Sequence, residues 1–162
     1  MNLIEKAKKF AALAHKRQFR KDKKTPYINH PEAVVNLLKK IRIKDSNILS
    51  AAWLHDTIED CGISKQVLEA EFNPDIAEIV SALTRNTTRK NYKERIKNSG
   101  YAVQIIKLAD TIHNCSELNS KLPRATIKRK INDCKSFYLG LAKKISPEFH
   151  RELEENLKLH KS

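Results

Sequence analysis

The chain has 162 residues, of which 40% are hydrophobic and 31% charged, and its formal net charge at pH 7 is +13. This length fits one domain over residues 1–162 with a single hydrophobic core. No run of about 18 apolar residues is present, which excludes a transmembrane helix. The N-terminus also lacks the apolar stretch of a signal peptide, and the three cysteines show no close pairing. We therefore expect a cytoplasmic protein with reduced thiols.

Composition and periodicity predict an all-α fold of about eight helices. Only three glycines are present, whereas Lys, Glu, Ala and Leu are frequent, and that balance favours helices over a sheet. Apolar residues recur at helical spacing and turn residues flank them. The predicted helices cover approximately residues 2–17, 31–41, 45–60, 64–72, 74–83, 101–115, 124–145 and 147–160. Residues 85–100 lack apolar periodicity and are predicted to form a basic, mobile loop.

The charges are unevenly distributed along the chain. Residues 1–44 hold thirteen Lys or Arg and three acids, residues 45–84 hold one Lys and eight acids, and residues 85–107 hold seven Lys or Arg and one acid. A basic rim around an acidic centre suits a metal site that receives a phosphorylated ligand. A generally lysine-rich proteome is the alternative explanation of the excess charge.

The first group of chemically active residues ends the third predicted helix. His55 and Asp56 follow the apolar residues 51–54, and Glu59 and Asp60 lie one helical turn further on. Four ionisable groups at the end of a buried helix are costly unless a positive charge compensates them. A divalent cation provides that compensation, and Glu59 or Asp60 could orient an attacking water or move its proton.

Two further segments can complete such a site. Asp110 ends the apolar run 105–109, so it needs a buried partner, and Asn114 lies one turn beyond it, where it can hold a water or a substrate oxygen. His30 precedes the proline that opens the second helix. Two histidines and two aspartates form a mixed nitrogen and oxygen ligand set, which suits Mn²⁺, Fe²⁺ or Zn²⁺ better than Ca²⁺. Taken singly, each of these residues is more often a core histidine or a helix-capping or paired aspartate than a metal ligand, and it is the ordered set that favours a metal site.

The order of these motifs resembles a known family. His30, then His55-Asp56, then Asp110 is similar to the His…His-Asp…Asp signature of the HD-domain phosphohydrolases. A fuller set of motifs resembles the hydrolase domain of the RelA/SpoT family over about residues 3–145. That set comprises Arg20-Lys21, Pro26-Tyr27-Ile28-x-His30-Pro31, His55-Asp56-Thr57-x-Glu59-Asp60, and Lys107-Leu108-Ala109-Asp110 followed by Asn114. The chain looks like the short, stand-alone hydrolase type.

The resemblance implies an all-helical HD-domain bundle, a Mn²⁺ ion and release of the 3′ pyrophosphate of (p)ppGpp to give GDP or GTP. It assigns the metal to His30, His55, Asp56 and Asp110. It implies that Glu59 and Asp60 are the acidic pair that serves the attacking water. It assigns the guanosine tetra- or pentaphosphate substrate to Arg20, Lys21, Tyr27 and Asn114.

Other functions are compatible with parts of the sequence. An HD-type phosphatase acting on NADPH or a deoxynucleotide would keep the four metal ligands without requiring Arg20 and Lys21, which could then be a plain surface pair. A nucleic-acid binder would explain the positive charge, but it would need aromatic residues among the basic ones, and aromatics make up only 6%. No membrane partner is expected, and the sequence does not indicate an oligomeric state.

Overall fold

The computed structural model of the protein describes residues 2–119 and 121–160, and within these ranges the chain is helical with one isolated bridge between Phe19 and Pro26. Eleven α-helices and one π-helical turn are formed there. They are α1 Leu3–Ala14, α2 Asn29–Lys40, α3 Ser46–Leu54, α4 Thr57–Cys61, α5 Lys65–Glu71, α6 Pro74–Leu83, α7 Arg89–Asn98, α8 Tyr101–Ser116, α9 Arg124–Asp133, the π-helical turn Cys134–Tyr138, α10 Leu139–Ile145 and α11 Pro147–Lys158. The predicted all-α class is confirmed.

Helix α8 is the centre of the bundle. It packs against α2, α6, α10 and α11 and also contacts α3 and α7. Most of its side chains are buried, including Ile105, Ile106, Leu108 and Ile112. Removing these apolar surfaces from water is the main driving force for this packing. Because α8 is surrounded on several sides, the aspartate in its middle, Asp110, lies inside the protein.

Local sequence signals account for several helix ends. Asp45 and Ser64 are N-caps whose side-chain oxygens accept hydrogen bonds from the backbone N–H of Ile48 and Val67. Pro147 occupies the first turn of α11, where no backbone donor is needed. Gly62 ends α4 in the left-handed conformation, with φ of 68°. These boundaries agree with the predicted ones.

The predicted loop over residues 85–100 is wrong, because most of it forms α7. Thr88 caps this helix, and its hydroxyl oxygen accepts a hydrogen bond from the Asn91 backbone N–H. Tyr92 and Ile96 are buried one turn apart, and the Tyr92 hydroxyl donates to the Leu83 carbonyl oxygen at 2.7 Å. Two apolar residues among many charges produce too weak a periodicity to be recognised in the sequence.

The predicted continuous helix over residues 45–60 is also interrupted. It forms two helices, α3 and α4, separated at His55 and Asp56. The break frees carbonyl groups of α3: the Thr57 hydroxyl donates to the Leu54 carbonyl oxygen at 2.7 Å. The long predicted helix near residues 124–145 is helical throughout, and it contains the π-helical turn Cys134–Tyr138 between α9 and α10. None of the helices in the described ranges is long and apolar enough to cross a lipid bilayer.

Candidate metal centre and adjoining cavity

The structure brings together the four side chains predicted to bind a metal. His30 comes from the first turn of α2, His55 and Asp56 from the break between α3 and α4, and Asp110 from the middle of α8. His30 Nε2 lies 3.2 Å from His55 Nε2 and 3.1 Å from Asp110 Oδ1. Asp56 Oδ2 lies 3.0 Å from His55 Nε2 and 3.6 Å from His30 Nε2. Four potential ligand atoms from three parts of the chain therefore face one small volume.

Each histidine is oriented by a contact at its other ring nitrogen. His55 Nδ1 donates to the Ala52 carbonyl oxygen at 2.8 Å, which turns Nε2 toward the other three candidate ligands. His30 Nδ1 lies 2.7 Å from His113 Nδ1. Partners of this kind fix the ring orientation and the tautomer of metal-binding histidines.

Asp110 is held by two neighbours on its own helix. Lys107 Nζ donates to Asp110 Oδ2 at 2.6 Å, and the Asn114 side-chain amide donates to Asp110 Oδ1. Burial raises the pKa of the Asp110 carboxyl, but Lys107 and the two site histidines outweigh burial and hold this pKa well below its usual range. Asp110 is therefore ionised, and Lys107, which the sequence analysis left outside the site, is in direct contact with it.

The donor set fits a divalent cation. The ligand atoms of His30, His55 and Asp56 all lie within 4.8 Å of one another, and Asp110 Oδ1 is 3.9 Å from His55 Nε2. Burial lowers the pKa of His55, yet the adjacent Asp56 carboxylate outweighs it and raises this pKa to about 9. The two carboxylates thus attract a positive charge into a space lined by imidazole nitrogens. Two imidazoles and two carboxylates are the ligand types that first-row divalent ions prefer.

The acidic pair Glu59 and Asp60 lies beside this centre and is divided between two environments. The Tyr27 hydroxyl is 2.7 Å from Asp56 Oδ2 and 2.9 Å from Asp60 Oδ2, so Asp60 is linked to a predicted metal ligand. Glu59 Oε2 instead accepts a hydrogen bond of 2.7 Å from the backbone N–H of Arg85. Both side chains line the same cavity as the four candidate ligands. The predicted position of the pair next to the metal centre is therefore compatible with the geometry.

Three of the four predicted substrate residues contact one another at one side of the cavity. The Arg20 guanidinium donates to a Glu117 carboxylate oxygen and, at 3.3 Å, to the Asn114 side-chain oxygen. Its central carbon lies 5.4 Å from the centre of the Tyr27 ring. Lys21 also lines the cavity. Arg20, Tyr27 and Asn114 thus form one connected wall.

The cavity has a volume of about 460 Å³, with the candidate metal centre in its lining, and it is rich in positive charge. Its basic side chains are Arg20, Lys21, Arg85, Arg89, Lys93, Lys107, Arg129 and Lys130. Four of these were not predicted from the sequence as site residues: Arg85, Arg89, Arg129 and Lys130. For Arg89 the available signal was its four-residue spacing from Lys93, since residues four apart share a helix face.

Comparison with known proteins agrees with this architecture. The sequence model of the HD domain matches residues 7–145. The guanosine-3′,5′-bis(diphosphate) 3′-pyrophosphohydrolase MESH1 of Xenopus tropicalis is 36% identical over 139 residues, which cover 81% of this chain and 78% of that protein. The human protein of the same name is 33% identical over 157 residues, covering 92% and 87%.

The same fold is found in a solved structure. That structure is described as a metazoan ortholog of SpoT that hydrolyzes ppGpp and plays a role in starvation responses. Its TM-score is 0.87 at 25% sequence identity, and the match covers 99% of this chain and 97% of that one. The resemblance noted in the sequence is thereby confirmed. This chain belongs to the HD-domain family, in the group that includes the MESH1 pyrophosphohydrolases.

Proposed function

We propose that this protein is a metal-dependent hydrolase that removes the 3′ pyrophosphate of ppGpp and pppGpp, giving GDP and GTP. The observation that carries the proposal is the convergence of His30, His55, Asp56 and Asp110 in the lining of a basic cavity. The relatives that cover most of the chain bear the name of this activity. A cavity of about 460 Å³ lies within the range of small-molecule sites.

Mn²⁺ is the ion that we propose for the centre, held by His30, His55, Asp56 and Asp110. When bound, it would acidify a water molecule and polarise a phosphoryl oxygen. Imidazole and carboxylate donors in equal number support an ion of this type over Ca²⁺. Lys107 and Asn114 keep the Asp110 carboxylate in place, so that one of its oxygens faces the histidine nitrogens.

Glu59 and Asp60 are proposed to orient the attacking water and to accept its proton. Asp60 supports this role through its contact with the Tyr27 hydroxyl, which also touches Asp56. The hydroxyl can donate to only one of the two carboxylates at a time. Tyr27 can therefore shift its hydrogen bond from one carboxylate to the other when a proton reaches Asp60.

Arg20, Lys21, Tyr27 and Asn114 are proposed to receive the nucleotide. The Arg20 guanidinium is planar and can stack on a purine, as it already lies near the Tyr27 ring. Lys21 and the basic residues of α7 and α9 face the same cavity and would attract the phosphates. A substrate with several phosphate groups matches this excess of positive charge.

Two broader proposals follow from the same data. We propose that residues 1–162 act as one domain, because the buried residues of the described helices form a continuous core. We also propose the cytoplasm as the working compartment, which is supported by three free cysteines, a state that reducing conditions preserve.

The test is an assay of purified protein with Mn²⁺ and a panel of ppGpp, pppGpp, NADPH and deoxynucleoside triphosphates, with chemical identification of the products. We expect GDP and pyrophosphate from ppGpp, and no formation of ppGpp from GDP and ATP. Release of single phosphate, or faster turnover of NADPH or a deoxynucleotide, would replace this proposal with an HD-type phosphatase of another nucleotide.

A further inference from the structure

Two of the three cysteines lie side by side in the wall of the cavity. Cys115 is in the last turn of α8, and Cys134 begins the π-helical turn that follows α9. Their sulfur atoms are 2.7 Å apart, and each residue is only 2% exposed. Both residues also line the cavity that holds the candidate metal centre. The sequence, in which they are 19 positions apart, did not suggest this proximity.

The local environment favours chemistry at one sulfur of the pair. The hydrogen bond between the two thiols lowers the pKa of Cys115, and the positive charge of Lys130 acts in the same direction, although burial opposes both. The third thiol, Cys61, lies elsewhere, 3.3 Å from His15 Nδ1, and burial raises its pKa to about 11. Since the thiolate is the reactive form of cysteine, Cys115 is better placed than Cys61 to react first.

We propose that Cys115 and Cys134 are an oxidation site at which a peroxide converts the two thiols into an intramolecular disulfide in the cavity wall. The Cys115 thiolate attacks one peroxide oxygen, the O–O bond breaks, a sulfenic acid forms, and the released hydroxide takes up the proton lost by the thiol to give one water. The Cys134 sulfur then attacks the Cys115 sulfur, the S–O bond breaks, and a second water leaves. The two thiols together lose two electrons and two protons, and a thiol reductant reverses the change.

The bridge would connect two structural parts of the cavity. Cys115 directly follows Asn114, whereas Cys134 directly follows Asp133, which lies 2.6 Å from Lys93 Nζ and 3.5 Å from Arg89 Nη1 of α7. A disulfide would thus tie α8 to the segment that anchors the basic side chains of α7. A disulfide restricts the conformations that the unfolded chain can adopt. Because of this restriction, closing a loop of this size should also raise the melting temperature, by an amount on the order of 10 °C.

The experiment uses the full chain, reduced and then exposed to hydrogen peroxide, with free thiols alkylated after denaturation and mapped by mass spectrometry. We expect the three free thiols to fall to one, a Cys115–Cys134 cross-linked peptide to appear, and dithiothreitol to restore all three. The oxidised protein should melt at a higher temperature than the reduced protein, a comparison that needs no mutation.

Two variants make the assignment specific. Cys61→Ser should still form the cross-link, whereas Cys134→Ser should not form it and should not gain thermal stability with peroxide. A cross-link that includes Cys61, a covalent dimer, or oxidation without any cross-link would overturn the proposal. None of these measurements uses the hydrolase activity, so their outcome is independent of the proposed function.

Discussion

His113 Nδ1 lies 2.7 Å from His30 Nδ1, on the side of the His30 ring that faces away from the candidate metal centre. Burial, with His30 and Arg20 acting in the same sense, lowers the pKa of His113 to about 4, so this imidazole is neutral at neutral pH. A neutral His113 can accept a hydrogen bond at Nδ1 while its Nε2–H points toward Glu117, 3.7 Å away. His30 then donates from Nδ1 and keeps its Nε2 lone pair for a metal.

His113→Phe should weaken metal binding without removing a ligand. The variant loses the acceptor that fixes the His30 tautomer, and losses of this kind typically cost about 10–100-fold in metal affinity. Titration of metal-free protein with Mn²⁺ by calorimetry measures the change. His150→Phe is the matched control, because His150 lies on α11 beside Glu154. Equal Mn²⁺ affinity in the His113 variant and the wild type would show that His113 does not orient His30.

Asp110→Ala should abolish uptake of the ion, because it removes a proposed charged ligand and leaves the half-buried Lys107 without its partner. In the wild type a bound ion should raise the melting temperature by mass action, and a chelator should reverse that gain. Asp133→Ala, at another acidic residue of the cavity, should keep the response to metal and chelator. Differential scanning fluorimetry distinguishes the two, and Mn²⁺ stabilisation of the Asp110 variant would exclude it as a ligand.

Glu59→Gln and Asp60→Asn should retain the metal and lose turnover. Both changes keep the side-chain size while removing a proton acceptor, and such losses cost about 10²–10⁴-fold in rate. The measurements are kcat for ppGpp together with the metal content of each purified variant. Glu69→Gln, at an exposed position of α5, is the control. A variant that loses metal along with activity has its side chain among the ligands instead.

Arg20→Lys should raise KM for the nucleotide more than it lowers kcat. The charge is kept, but the planar group that faces Tyr27 and contacts Asn114 is lost, and an interaction present equally in the ground and transition states appears in KM. Steady-state kinetics provide both constants. Arg17→Lys, at an exposed position nearby, should leave them unchanged. A fall in kcat at constant KM would place Arg20 in transition-state stabilisation.

Gly62→Ala should destabilise the protein by about 1 kcal/mol, because its φ of 68° is strained for any residue with a Cβ atom. A Cβ at this position meets no atom within 4 Å, so the cost comes from the backbone alone. Gly140→Ala is the counterpart: Gly140 lies within α10, a Cβ there also meets nothing, and this variant should gain about 0.5–1 kcal/mol. Urea unfolding measures both, and a neutral Gly62 variant would show that the local backbone relaxes.

The sequence alone determined the helical class and most helix ends, and it singled out the four side chains that we propose as metal ligands. Helix ends depend on neighbours in the chain: Asp45 caps α3 because its side chain reaches a backbone N–H three residues away, and Gly62 ends α4 because glycine tolerates a positive φ. Asp110 was identified because an ionisable group at the end of an apolar run requires a buried partner, and His30 because it precedes the proline that opens the second helix.

Tertiary structure alone decided which distant groups meet. Three features depend on how the helices pack: the contact of His30 with His113, the adjacent sulfurs of Cys115 and Cys134, and the burial of one face of α7. Local periodicity specifies which face of a helix is apolar, but it carries no information on the distance between side chains far apart in the chain. Those distances follow from packing around α8, and they decide how the ligand rings are oriented and which thiols can react.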